Sequence, residues 1–340
     1  MNERALLVPR ARGEEVRRRL VAAGALRPDL GILQEGDRLA FPLAAGATPE
    51  AGWGTIELRE FPERKVDGVA AFRDLLTWPA EELDRLPRSF DIVGDIVLVR
   101  LPPELEPRRH EVGEALLRFV PGSRLVGLDR GVHGPERRRT VERIAGTGGW
   151  TTRHRENGLE IDVDLERAYF SPRLAHEHAR VAASVRAGER VYDLCCGVGP
   201  FSLTIARDGR AREVVAVDAN PVAVELLRSS LGRYRFATSV SVLEGRIEEF
   251  VGTAGPAERV VVNLPHEGIK CATLVAPTVS PGGRLTFYEV LARDDLPTRG
   301  ATVETTLRPL GPWTVTEVHL VHPYSPSSDL VAVTAVRGGG

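Results

Sequence analysis

Apolar and polar positions divide the chain by rhythm. In "ALLVPRARGEEVRRRLVAAGAL" (5–26) a short apolar strand runs into an amphipathic helix, and "GILQEGDRLAFPL" (31–43) has the alternation of a hairpin. A Gly/Ala/Pro-rich piece, 44–54, then separates this first unit, residues 1–45, from the rest of the chain. Residues 72–102 carry a helix, a turn and an alternating strand pair around Gly94; 109–129 read as helix then strand, and 151–185 as hairpin then helix. These features predict an α+β middle domain over 55–168. From about residue 170 strands and helices alternate without a break to "LVAVTAVRG" at the C-terminus, which predicts a third, α/β domain over 169–337. There is no internal repeat and no low-complexity tract, and the last glycines, 338–340, are expected to fray.

Within the α/β part, "RVYDLCCGVGPFSLTIARDG" (190–209) places Gly197 and Gly199 between a buried strand and an amphipathic helix. Glycine lets the backbone bend sharply there and lets a ligand approach the chain closely. A Gly-x-Gly is also a common tight turn. The spacing is neither the dinucleotide fingerprint, because position 202 is Ser, nor a P-loop, because no Gly-Lys-Ser/Thr comes after it. The neighbours favour a ligand. A second strand ends in Asp218, about 25 residues beyond Asp193, where an open α/β sheet puts the acid that hydrogen-bonds ribose hydroxyls. A third strand-like run, "SVSVLEG", and a fourth, "RVVVNLP", come next, the fourth ending in Asn263-Leu264-Pro265. Together these features resemble a class I S-adenosylmethionine-dependent methyltransferase.

Bulk properties narrow the setting. With 340 residues, 42% of them hydrophobic, the chain can bury a large core in two or three domains. No 18-residue apolar run offers a membrane span, and the N-terminus is charged too early for a secretory signal, so a cytoplasmic location is expected. The three cysteines, Cys195, Cys196 and Cys271, form no C-x-x-C pair and have no nearby His cluster, so neither disulfides nor a metal site are expected. Cys195 and Cys196 read as small buried residues at a strand end. Net charge is −2 and does not by itself announce nucleic-acid binding. Seven arginines nevertheless fall between 130 and 155 (130, 137, 138, 139, 143, 153 and 155) against Glu136 and Glu142. Such a cluster is either a solvated face or a surface that grips RNA phosphate.

The order of "SFDIVGDIVLVRLP", "HRENGLEIDVDLERAYFSPRLAHE", "DLCCGVGPFS", "VNLPHEG" and "PYSPSSDLVAV" resembles, over the full length, the archaeal and eukaryotic tRNA (guanine-37 N1)-methyltransferase family. The resemblance implies a Rossmann-like, mostly parallel sheet with one antiparallel strand, preceded by small α+β domains, of which the first docks on tRNA. It implies S-adenosylmethionine as cofactor and the tRNA anticodon loop as partner, with the protein expected to be a monomer. A related branch moves the 3-amino-3-carboxypropyl group of the same cofactor to a wybutosine-type base; "GVGPFS" and "NLPH" look more like the methylating branch. A small-molecule transferase, a cofactor cyclase and a non-catalytic RNA-binding module are the rival readings. The first unit argues against a small-molecule enzyme, and the retained motifs argue against a non-catalytic module.

By the same resemblance Asp193, Gly197, Gly199, Asp218 and Asn263 hold the cofactor, and Glu177, Arg137 and Asn263 serve catalysis. Guanine N1 bears a proton at neutral pH, so a base is needed, and Glu177 is placed in that role with its pKa expected to be raised by partial burial. Its plain alternative is a helix-surface acid pairing with Arg180 at i+3. Arg137 matches an arginine that would stabilise charge building on guanine O6, while Arg138 and Arg139 read as phosphate contacts or solvated charge. Tyr169 offers a stacking ring, Arg173, Arg153 and Arg155 offer substrate contacts, and Pro265 stiffens the loop that presents the Asn263 amide. Tyr169 and Arg173 could equally serve the core or a salt bridge. One position departs from the pattern: the family commonly has Gly-Asp after the third strand, with the acid near adenine, whereas this chain has Gly245-Arg246. Glu244, Glu248 or backbone contacts would have to replace that acid.

Overall fold

A computed structural model describes residues 2–339 other than 24, 28, 29, 31, 45, 48, 50, 51, 62–70, 134–137 and 326. The chain forms two compact units, Met1–Thr77 and Trp78–Gly340. In the first, β1 (Asn2–Pro9) leads to helix α1 (Gly13–Ala22), then to β2 (Leu33–Glu35), β3 (Arg38–Pro42) and β4 (Thr55–Glu60). The strands pair antiparallel in the order β2-β3-β1-β4. Leu6 and Val8 pack with Val16 and Leu20 of α1, whereas Ala5 and Leu7 pack with Ala40 and Phe61, so alternate residues of β1 serve two apolar clusters. The first unit therefore does not end at 45. Leu6 stands opposite Ile56, and a Cβ on Gly54 would lie 2.1 Å from the Leu7 carbonyl, so the segment that reads as a linker is packed tightly on β1.

The second unit opens with a short helix, α2 (Ala80–Asp84), and a four-stranded sheet, β5 (Asp91–Val93), β6 (Ile96–Val99), β7 (Leu125–His133) and β8 (Arg138–Gly146), with α3 (Arg109–Phe119) crossing from β6 to a parallel β7. Next comes a hairpin, β9 (Thr151–Glu156) and β10 (Leu159–Asp164). After α4 (Ala175–Ser184) come β11 (Arg190–Leu194), α5 (Pro200–Asp208), β12 (Glu213–Asp218), α6 (Pro221–Leu231), β13 (Ser239–Glu244), α7 (Ile247–Thr253), β14 (Ala257–Val262), α8 (Gly268–Val275), β15 (Val279–Ala292), α9 (Arg299–Leu307), β16 (Trp313–Pro323) and β17 (Ser328–Arg337).

These last seven strands form one sheet in the order β13-β12-β11-β14-β15-β17-β16, parallel except for β17, which runs against both neighbours. Both faces are covered: Val215, Val217, Val260 and Val262 enter one apolar cluster, Val191, Val214 and Val261 another. Strand order reverses at β11, with β12 on one side and β14 on the other, and the crevice beyond the carboxyl ends of such strands is where ligands bind. The middle segment is not packed apart from this sheet. Leu159, Ile161 and Val163 of β10 join Val93, Ile96 and Leu98 of the smaller sheet, Ala216 of the larger sheet and Leu203 and Leu227 of the helices α5 and α6 in a single core. No helix among the described residues is long and apolar enough to cross a membrane.

Candidate active site

At the carboxyl end of β11 the buried strand delivers Asp193 into the turn Cys195–Gly199. Gly197 has φ +57 and Gly199 φ +76, and Cys195 adopts a left-handed φ of 63° despite its side chain. A Cβ on Gly199 would sit 2.2 Å from Leu227 Cδ1, so glycine is also what lets α6 close on the turn. Asp218, at the end of β12, accepts the Gly197 amide through Oδ2 at 2.7 Å and the Asn220 amide through Oδ1 at 2.9 Å. Asn220 caps α6 by accepting from Val222 at 3.0 Å and donates to the Arg167 carbonyl at 2.7 Å. Asn220 is not among the residues expected at the site, although an Asn before Pro221 at a helix start is a cap signal.

Asp193 is fully buried, and one carboxylate oxygen, Oδ2, accepts from the Ser202 amide at 3.0 Å and its hydroxyl at 2.6 Å. Burial pushes its pKa up to about 6, against the pull of the two Ser202 bonds. The other oxygen, Oδ1, is buried with no hydrogen-bond partner in the protein. An acceptor orphaned beside a glycine turn lacks a cationic or N–H donor, which the ammonium of a methionine-type cofactor supplies; these residues therefore fit S-adenosylmethionine. The thiols of Cys195 and Cys196 are pushed up by burial, which agrees with small apolar residues rather than nucleophiles. Among the described residues, no group of three or more His, Cys, Asp or Glu is arranged to hold a metal ion.

Next to the turn, where the Tyr169 carbonyl lies 3.5 Å from the Cβ position of Gly197, a cavity of about 490 Å³ opens. Tyr169 and Arg173 line it from the segment before α4, Asn263 and Pro265 from the loop after β14. The Asn263 Oδ1 is buried and without a hydrogen-bond partner. Arg173 donates to Asp91 at 2.9 Å and remains half-exposed. The cavity also takes in Arg139, which the sequence offers as a phosphate contact or solvated charge, and residues that local sequence could not single out: Asp129, Arg100, His266, His322 and Tyr324. Arg139 is buried rather than solvated, donating to Asp129 Oδ2 and, at 3.2 Å, to the Phe170 carbonyl. The Tyr324 hydroxyl and His266 Nε2 lie 3.2 Å apart.

Glu177 does not line this cavity. It is 2% exposed; Arg180 donates to Oε2 at 2.8 Å and Oε1 at 2.6 Å, and the Tyr288 hydroxyl donates to Oε1 at 2.7 Å. Its pKa is lowered, not raised as expected. Burial alone pushes it up, but the bonds from Arg180 and Tyr288 and the charges of Arg180 and His319 together outweigh that cost.

The remaining expected residues fall elsewhere. Arg137 lies outside the described residues. Arg153 pairs with Asp162 at 3.2 Å and Glu160 at 3.5 Å, and Arg155 with Glu160 at 2.8 Å; both stand on the hairpin and neither lines the cavity. Arg246 is exposed and turns to Glu248 at 3.5 Å. The Gly245 amide donates to the Asp218 carbonyl at 3.0 Å.

A parallel sheet with its order reversed at β11, a glycine turn under an orphaned carboxylate oxygen and a polar cavity alongside define a class I methyltransferase. Comparison with known proteins narrows this. Residues 152–306 match the TRM5/TYW2 methyltransferase domain and 72–149 the TYW2 N-terminal domain. A tRNA (guanine(37)-N(1))-methyltransferase Trm5b of Pyrococcus abyssi is 33% identical over 286 residues, 84% of this chain and 83% of that protein. The crystal structure of wild-type Trm5b from Pyrococcus abyssi superposes with a TM-score of 0.74 at 29% identity, covering 99% of each chain. A complex of aTrm5 with tRNALeu superposes at 0.71 with 27% identity, covering 98% of this chain and 99% of that one. The chain belongs to the TRM5/TYW2 methyltransferase family.

Proposed function

We propose that the protein methylates N1 of guanosine 37 in tRNA with S-adenosylmethionine as donor. The observation that carries this reading is the cavity beside the Gly197 turn, in which the unpartnered Asn263 Oδ1 offers an acceptor to a planar N–H edge such as that of guanine. The cofactor supplies an electrophilic methyl group on a sulfonium. What this chain adds is position. Asp193 takes the ammonium end, Gly197 and Gly199 let the turn lie close to the ligand, and Asp218 orders that turn. Tyr169 stacks on the flipped base, Pro265 limits the freedom of the Asn263 loop, and Arg173 meets the adjoining phosphate.

Glu177 is the proposed acceptor of the N1 proton. Its carboxylate is ionised and one helical turn from Arg173, but both oxygens are engaged, so it must be released from Arg180 before it can act. Arg137 is the proposed partner of O6. With the whole chain aligned to tRNA methyltransferases, aminocarboxypropyl transfer is the lesser reading.

The test is to incubate the protein with labelled S-adenosylmethionine and tRNA transcripts carrying G37 or A37, then identify the modified nucleoside by mass. One-methylguanosine from the G37 transcript alone is expected. A 3-amino-3-carboxypropyl product, or no product, overturns the reading.

A further inference from the structure

A second cavity, of about 360 Å³, lies between α4 and the sheet strands β14 to β17, away from the residues placed in methyl transfer except for one side chain. Three guanidinium groups line it, those of Arg180, Arg259 and Arg284, with Thr286, Thr316 and Thr334 beside them. Arg259 and Arg284 are register partners on the adjacent parallel strands β14 and β15. Like charges so placed repel one another. Arg284 and Thr286 are two residues apart on β15 and share a face, while Leu285 and Phe287 between and beyond them enter the apolar core on the other.

The acids nearby are taken up by two of these three groups. Arg259, 1% exposed, donates to Glu189 at 2.8 Å and to the Ser184 carbonyl at 2.6 Å. Arg180 is committed to Glu177 and, through Nη1, to Glu317 at 2.8 Å. Arg284 has no acidic partner among the described residues, and its Nε is buried with no hydrogen-bond acceptor. A guanidinium placed beside another on a sheet, with a buried N–H left unmade, is costly unless an anion completes it. Thr286 and Thr334 hydroxyls, 3.1 Å apart, add rotatable donors at the same wall.

We propose that this cavity binds a tetrahedral oxyanion of the phosphate class, gripped by Arg284 and Arg259 and hydrogen-bonded by the threonines. Glu317 is the one carboxylate in the lining, and it is paired with Arg180 at 2.8 Å. The site does not depend on the methyl-transfer reading. Its occupant is either free phosphate or a phosphodiester of bound RNA, and the two sources separate experimentally.

Calorimetric titration of the full chain with inorganic phosphate, at constant ionic strength against chloride, should show saturable binding. Arg284→Ala should weaken it by roughly tenfold or more, and Thr286→Val by less. Removing an unpaired charge should leave Arg284→Ala folded; Arg284→Leu, which keeps more of the apolar volume, serves as the second variant. If phosphate competes with tRNA in the wild type but not in Arg284→Ala, the RNA backbone supplies the oxyanion; if tRNA affinity is unchanged while phosphate still binds, free phosphate does. Absence of saturable phosphate binding to the wild type, or equal binding by Arg284→Ala and Arg284→Leu to that of the wild type, overturns the proposal.

Discussion

The guanidinium of Arg180 closes on the carboxylate of Glu177 through two bonds, at 2.8 and 2.6 Å, and keeps a buried acid ionised. Because the folded-state pKa of Glu177 lies below its ordinary value, the pair stabilises the fold fully above the ordinary carboxylate range and loses that contribution as pH falls through the folded value. Arg180→Ala should therefore cost roughly 3 kcal/mol at pH 7, with the gap to wild type narrowing in acid as Glu177 is protonated in both. Urea unfolding at several pH values measures it.

The same pair gates the proposed base. Glu177→Gln should lower the single-turnover methylation rate by roughly 10²–10⁴-fold with little change in cofactor affinity. In Arg180→Ala the rising limb of the rate against pH should move to higher pH, because the acid loses its largest stabilising partner. A Gln variant that methylates tRNA at the wild-type single-turnover rate would leave Glu177 a structural acid.

Asp193 behaves in the opposite sense. Its folded pKa, about 6, exceeds the ordinary value, so between roughly pH 4 and 6 the fold holds the proton more tightly than the unfolded chain and stability declines as pH rises. S-adenosylmethionine affinity should instead grow as pH passes through about 6 and then level off. Asp193→Asn should weaken binding by roughly 10–10²-fold and flatten that profile, read by calorimetry.

Gly199→Ala should lose roughly 1–3 kcal/mol and most cofactor affinity, since the new methyl meets Leu227 at 2.2 Å and the φ of +76 disfavours a side chain. Adding Leu227→Ala should not restore stability, because the backbone conformation is unchanged and a core side chain is lost. Thermal unfolding of the single and double variants decides it.

Arginines that look alike in sequence should differ in RNA binding. Each is paired, Arg155 with Glu160 and Arg173 with Asp91, but of the two Arg173 alone lines the cavity. Arg173→Ala should reduce the slope of log affinity against log salt by roughly one, and Arg155→Ala should scarcely alter it.

Local patterns made much of this legible. The glycine turn, Asp193, Asp218 and the Asn263 loop are each set by a few adjacent residues at a strand end, so spacing reveals them. The Glu177–Arg180 pair was visible as an i, i+3 neighbour, but the direction of the pKa was not, because Tyr288 arrives from a strand 111 residues away. Arg139 reads as a phosphate contact or solvated charge in its arginine run, and is buried where Asp129 and the Phe170 carbonyl meet it. Arg259 beside Arg284 is a matter of strand register, which one sequence does not carry. The β4 strand was hidden by a glycine-rich stretch whose tight packing on β1 depends on having no side chain.

The hairpin residues Leu159, Ile161 and Val163 are lodged between the smaller sheet and the helices α5 and α6. The smaller sheet and the helices α5 and α6 share one interior through that hairpin, so the segment from Trp78 onward should melt as one cooperative body with a single calorimetric peak. Recombination between relatives at residue 168 would exchange halves of a shared interior, and chimaeras joined there should fold poorly. Joints in the exposed turns should be tolerated.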